Sequence, residues 1–256
     1  MHGGPLERIF GRNAAYEVMR AGRRKVHALE VAEGAEVRGG LKRLLDLAAA
    51  QSIPVRRVSR GDLDRQSDSH QGVAATAAAY PYVEVDDILE HASRRNEPPL
   101  ILLLDLIQNP QNLGTLLRTA EAVGVHGVVI GSHRAAGITP AVVSSSSGAS
   151  EHLQVARGNL AQAMDRLRRA GVWVVGLEAG PEAVSLDEVN LAGALGLVVG
   201  NEGEGMRRLV RQSCDVLVRL PMRGQVESLN AAVAGSLALY AAWAARGYAG
   251  RRTEGP

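Results

Sequence analysis

Short aliphatic runs of strand length alternate along the chain with stretches whose apolar positions recur every three or four residues, the pattern of strands interleaved with helices. In the first hundred residues this predicts a helix over 13–19 capped by Asn13, and strands over 26–31, 53–58 and 72–79. Helices are expected over 41–50 and, briefly, 61–66. Residues 86–96 are charged and run into Glu97-Pro98-Pro99, where neither proline offers a backbone donor, as suits a linker. From Leu100 the rhythm restarts, with strands over 100–105, 127–131, 172–177, 194–200 and 215–220. The helices between and after them fall at 112–123, 140–147, 160–170, 206–212 and 228–246. Strands alternating with helices imply an α/β fold with a mostly parallel sheet covered on both faces. The expected organisation is a small α/β domain over 1–80, a linker over 81–99 and a second domain over 100–256.

Composition narrows the class. With 46% hydrophobic and 22% charged residues among 256, the chain is neither disordered nor collagen-like nor a coiled coil. No apolar run reaches the ~18 residues that span a bilayer, since Asp105 interrupts the strongest one. The start, Met1 to Arg8, lacks a basic stretch followed by an apolar one, so no secretory signal and a cytoplasmic location are expected. The one cysteine, Cys214, can make no internal disulfide and has no cysteine neighbours for a structural zinc site. It stands at the start of an expected buried strand, which suits packing better than an activated thiolate.

Charge is unevenly spread. Residues 1–65 hold 13 Lys+Arg against 8 Asp+Glu, whereas 66–97 hold 2 against 6. Only Lys25 and Lys42 are lysines among the 29 basic residues; the rest are arginines, suited to forked phosphate contacts, although a GC-rich genome also inflates arginine. With two Trp, five Tyr and one Phe, a base-stacking platform is not expected, so any bound nucleic acid would be held through phosphate and shape.

Ligands of open α/β sheets gather at the carboxyl ends of strands, and three such ends are rich in polar residues. The first contains Asn112-x-Gly114-x-x-x-Arg118-x-Ala120. Asn112 equally suits a helix cap, and Arg118 could pair with Glu121 on an exposed face. The second reads Gly200-Asn201-Glu202-Gly203-x-Gly205; it fits neither a dinucleotide fingerprint nor a phosphate loop, and Glu202 could simply complement a helix dipole. The third reads Leu220-Pro221-Met222-x-Gly224-x-x-x-Ser228-Leu229-Asn230. Ser228 suits an N-cap, whereas Asn230, a poor helix former two residues on, suggests a side chain kept for hydrogen bonding.

In order and spacing the three stretches resemble the motifs of the SpoU (TrmH-type) RNA ribose 2′-O-methyltransferases, over residues 100 to about 246. Ser147-Gly148-Ala149 also looks like a family segment. The first 80 residues, with Ile9-Phe10-Gly11-Arg12-Asn13 and Ser69-His70-Gln71-Gly72-Val73, are similar to the family's small RNA-binding domain. The arrangement resembles most the bacterial members that methylate a guanosine ribose in 23S rRNA. The resemblance implies a trefoil-knotted (SPOUT) methyltransferase domain, a homodimer, and S-adenosylmethionine as cofactor held near Gly200, Leu220 and Leu229. It places Asn112, Arg118, Glu202, Ser228 and Asn230 in the catalytic site.

Arg118 is the residue expected to matter most for chemistry. Using a guanidinium as general base means lowering a pKa of ~13 by about 6 units, roughly 8 kcal/mol, so a cationic role beside the developing alkoxide is preferred. His70 could contact RNA or pin a turn. The other histidines lack metal-ligand spacing, so no metal is expected. Methylation of tRNA or another rRNA, and a non-catalytic RNA-binding assembly factor, are the alternatives.

Overall fold

A computed structural model describes residues 5–226 and 228–251; Met1 to Gly4 and Glu227 of the third motif lie outside them. In chain order the elements begin β1 (Leu6–Phe10), α1 (Arg12–Ala21), β2 (Val26–Ala32), α2 (Gly39–Ala50), β3 (Val55–Val58), α3 (Arg60–Asp64), β4 (Val73–Ala78) and α4 (Val85–Arg94). They continue β5 (Leu100–Leu104), α5 (Pro110–Ala122), β6 (Gly127–Gly131), α6 (Pro140–Ser145), β7 (Val155–Gly158), α7 (Leu160–Arg169), β8 (Trp173–Leu177) and β9 (Val184–Ser185). The last are β10 (Leu195–Val199), α8 (Arg208–Gln212), β11 (Val216–Arg219) and α9 (Ala231–Ala245).

Two compact units result. One comprises the chain up to Pro81 together with Gly137–His152; the other comprises Tyr82–Ala136 and the chain from Leu153. The stretch that reads from sequence as one domain from residue 100 is thus interrupted by a segment that packs with the first unit. The cause is electrostatic as well as apolar. Glu151, fully buried, accepts from Arg24 Nε at 3.0 Å and Nη2 at 2.6 Å, while Arg24 Nη1 donates to Glu7 at 2.5 Å. Burial works against the Arg24 charge, but the two carboxylates more than offset it and raise its pKa above the ordinary value. Tyr80 Oη donates to the Ser150 carbonyl at 3.0 Å and Ser144 Oγ to that of Phe10 at 2.8 Å. The first unit's sheet runs β1-β4-β2-β3, antiparallel except for the β2/β3 pair.

The second unit holds a parallel seven-stranded sheet, β7-β6-β5-β10-β8-β11-β9. Its interior strand β5, Leu-Ile-Leu-Leu-Leu, is buried throughout, as a strand covered on both faces must be. Each such side chain contributes roughly 1.5–3 kcal/mol of burial. Helix α7 buries Leu160, Ala163, Met164 and Leu167, a single helical stripe. Helix α9 lies against α5 and β10 at Gly235, where a Cβ would come within 2.6 Å of the Leu116 side chain and 3.0 Å of Val199.

Several boundaries depart from the sequence pattern. Helix α1 begins after Gly11, whose φ of 100° no capping side chain accompanies, so Asn13 is not its cap. The expected linker contains α4, a helix with a Glu84/Asp87 capping box that buries Ile88 and Ala92. Strands β1, β7 and β9, of five, four and two residues, lie outside the expected elements.

Candidate active site

The second unit's carboxyl edge is built by the chain leaving β5, β8, β10 and β11. Beyond β5, Asp105 is fully buried and Leu106 takes φ of 59°. Asn109, not Asn112, caps α5, accepting from the Gln111 N–H at 2.8 Å, with Pro110 preorganising the first turn. Asn112 is thereby left free of capping in the first turn, and its Nδ2 donates to Glu202 Oε1 at 2.6 Å.

Glu202 sits in a tight loop after β10. Asn201 and Gly205 exchange backbone hydrogen bonds at 3.1 and 3.0 Å, and Asn201 Oδ1 accepts from the Gly203 N–H at 2.8 Å. A Cβ on Gly200 would lie 2.5 Å from the Gly205 carbonyl carbon, so only glycine lets the loop close. Three hydrogen bonds fasten the loop to the exit of β5: Asn201 Nδ2 donates to the Leu106 carbonyl at 3.0 Å, and Asp105 accepts from both the N–H and Nε of Arg207 at 2.7 Å.

The third stretch enters α9. Its cap is Asn230, whose Oδ1 accepts from the N–H groups of Ala232 and Val233 at 2.9 and 3.1 Å, so Ser228 does not cap the helix. The same Asn230 uses Nδ2 to donate to Asn112 Oδ1 at 3.2 Å and to Glu202 Oε1. Asn112, Glu202 and Asn230, far apart in sequence, meet as one carboxylate held by two neutral amides.

Beside them opens a cavity of about 470 Å³ whose walls include Gly200, Glu202, Leu220, Ser228 and Leu229. Glu178 and Arg211 also line it, with Arg211 Nε donating to Glu178 at 2.8 Å. The sequence motifs passed over both, although Glu178 directly follows a strand. Arg118 lies exposed on α5, six residues past Asn112 and about 9 Å further along the helix axis by the standard rise.

Cys214 precedes β11 rather than opening it, and donates to the Val210 carbonyl at 3.4 Å. Burial, with the negative charges of Asp215 and Glu178, pushes its thiol up to about 12, which leaves it protonated and unreactive. His70 is buried and pins a turn: Nδ1 accepts from the Gly72 N–H at 2.8 Å, and Nε2 lies 2.6 Å from Asp64 Oδ1. Among the described residues no group of three His, Cys, Asp or Glu could hold a metal, and no helix is long and apolar enough to cross a membrane.

Residues 99–240, more than half of the chain, match the SpoU rRNA Methylase family. The chain belongs to that family of S-adenosylmethionine-dependent RNA methyltransferases. Residues 8–83 match a second family, RNA 2′-O ribose methyltransferase substrate binding. This SpoU methyltransferase is 44% identical to YacO of Bacillus subtilis (strain 168), assigned to the TrmH family of tRNA/rRNA methyltransferases, over 91% of this chain and 93% of that one. A TrmH family relative from Staphylococcus saprophyticus is 38% identical, covering 94% and 97%. In structure it is similar to the SpoU methyltransferase AviRb from Streptomyces viridochromogenes in complex with AdoMet. That likeness has a TM-score of 0.79 at 26% identity and covers 95% of this chain and 91% of that one.

Proposed function

We propose that this chain methylates the 2′-hydroxyl of a ribose in RNA, at a guanosine of 23S rRNA, as a cytoplasmic homodimer with a trefoil-knotted catalytic domain. The observation that carries the catalytic reading is the meeting of Asn112, Glu202 and Asn230 beside a cavity walled by Gly200, Leu220 and Leu229. The two family descriptions, rRNA methylase and 2′-O ribose substrate binding, support the substrate. The resemblance of the two-domain arrangement to the 23S guanosine enzymes supports the target.

The cavity suits S-adenosylmethionine. Its volume falls within the range of about 300–1,000 Å³ for small-molecule sites. Leu220, Met222, Leu229 and Ala231 offer an apolar wall, the glycines at 200, 203 and 205 expose backbone, and the carboxylates of Glu178, Glu202 and Glu204 complement a cationic ligand. Gly200, Leu220 and Leu229 would hold it. When bound, the cofactor supplies a methyl group already made electrophilic by its sulfonium. The protein aligns the ribose hydroxyl and stabilises the charge that develops on its oxygen. Arg118 stabilises that charge as a fixed cation, and the departing proton passes to phosphate or water. Asn112 and Asn230 fix Glu202, and Ser228 shapes the wall next to it.

Three exposed apolar side chains on α9, Val233, Leu237 and Tyr240, recur at helical spacing and support a dimer face. Arg118→Ala should lower kcat by about 10²–10³-fold at unchanged RNA affinity, measured by labelled-methyl transfer to rRNA. Full turnover by that variant would refute the assignment. Mapping 2′-O-methyl positions in RNA from a deletion strain decides between a 23S guanosine and a tRNA or other rRNA target.

A further inference from the structure

In the first unit, Arg8, Arg38, Lys42 and Arg65 are each paired with a carboxylate. Arg56 and Arg57 on β3 and Arg60 at the start of α3 differ. All three are exposed, and among the described residues no carboxylate lies within 4.0 Å of their guanidinium nitrogens. Arg57 donates to the Ala32 carbonyl, at 3.4 Å.

Their placement is specific. Strand β3 is the edge of its sheet and pairs with β2 alone, Val55 opposite Leu29 through Val58 opposite Ala32. Side chains alternate along a strand, so Arg56 and Arg57 project from opposite faces and straddle that edge. Arg60, two residues past the end of β3 and at the start of α3, continues the cationic line along the chain. The outer backbone groups of an edge strand have no ladder partner and can also donate to phosphate oxygens. No aromatic residue lies between 53 and 65, so this edge has nothing on which to stack bases.

We propose that the β3 edge is where the first unit receives the phosphate backbone of RNA, through Arg56, Arg57 and Arg60. The inference rests on the methyltransferase reading above and adds to it the surface that grips the substrate. Guanidiniums already neutralised by internal carboxylates gain little from phosphate; these three release condensed counterions on contact. Charges on an edge strand also deter pairing between copies, but either sign of charge serves that purpose. Charge reversal therefore separates the two roles.

The test compares the 256-residue chain with its Arg56→Glu/Arg57→Glu/Arg60→Glu form, using in vitro transcribed 23S rRNA in filter binding across a salt series. S-adenosylmethionine affinity by calorimetry and the unfolding midpoint serve as controls. Affinity for RNA should fall at least about tenfold at ~0.1 M salt, with the salt dependence shallower by about 2–3 in log–log slope, and both controls unchanged. Should the reversed form not fold, the three Arg→Gln substitutions make the same prediction with a smaller loss. RNA affinity within twofold of wild type, where wild type binds and methylates, would overturn the surface alone. A wild-type chain that neither binds nor methylates RNA would overturn the methyltransferase reading as well.

Discussion

Two carboxylates in this molecule are held by nitrogen donors in contrasting ways. Glu151 is fully buried and gripped by the guanidinium of Arg24, a cation that burial obliges it to keep. Glu202 is exposed at the mouth of a cavity and held by the amides of Asn112 and Asn230, which bring no charge. The first arrangement is closed and complete, and it fastens Gly137–His152 to the first unit. The second leaves a net negative charge facing open space. A carboxylate answered by a buried cation acts as a structural clamp; one fixed by neutral amides at a cavity mouth stays available to a ligand.

The sharpest way to break the contrast is to remove each carboxylate. Glu151→Ala removes one of the two carboxylates that hold the buried Arg24, leaving it Glu7, and should destabilise the protein by roughly 3 kcal/mol, read by chemical denaturation. Glu202→Ala should change stability by less than about 1 kcal/mol while lowering methyl transfer by about 10²-fold. Similar stability losses in both variants would erase the distinction.

A smaller effect concerns His126, whose Nδ1 accepts from the Leu100 N–H at 3.0 Å at the start of β5. Burial, with Arg95 nearby, lowers its pKa below the usual 6.5. Below pH 6.5 the unfolded chain takes up a proton that the folded one refuses, so stability should fall as pH drops from 6.5 toward the depressed value. Unfolding midpoints measured between pH 7.5 and 5.5 check the sign, and His126→Gln should flatten the trend. Smallest of all, Cys214→Ala should leave methyl transfer unchanged, and the native thiol should resist alkylation at neutral pH until the protein unfolds.

The cleft was legible in the sequence to the extent that its residues stand in short motifs at strand ends. Asn112, Glu202 and Asn230 were marked in that way, and Asn230 by its poor fit to a helix interior. Their capping roles were misread because Asn109 and Asn112, or Ser228 and Asn230, are equally good caps by residue type. Only the backbone path chooses between them. The bonds from Arg207 to Asp105, across 102 positions, and from Asn201 to Leu106 follow no local pattern. Nor could contiguous reading find that Glu151 belongs with Arg24, since chemistry at one residue names no distant partner. The parallel sheet itself was plain, because strands such as Leu100–Leu104 are apolar without interruption.

The most direct test of the central claim is nucleoside analysis of RNA labelled by the purified chain from methyl-labelled S-adenosylmethionine. After complete digestion the label should reside in a 2′-O-methylated nucleoside, which protects the adjacent linkage from alkali. Label on a base, with every linkage alkali-sensitive, would contradict it.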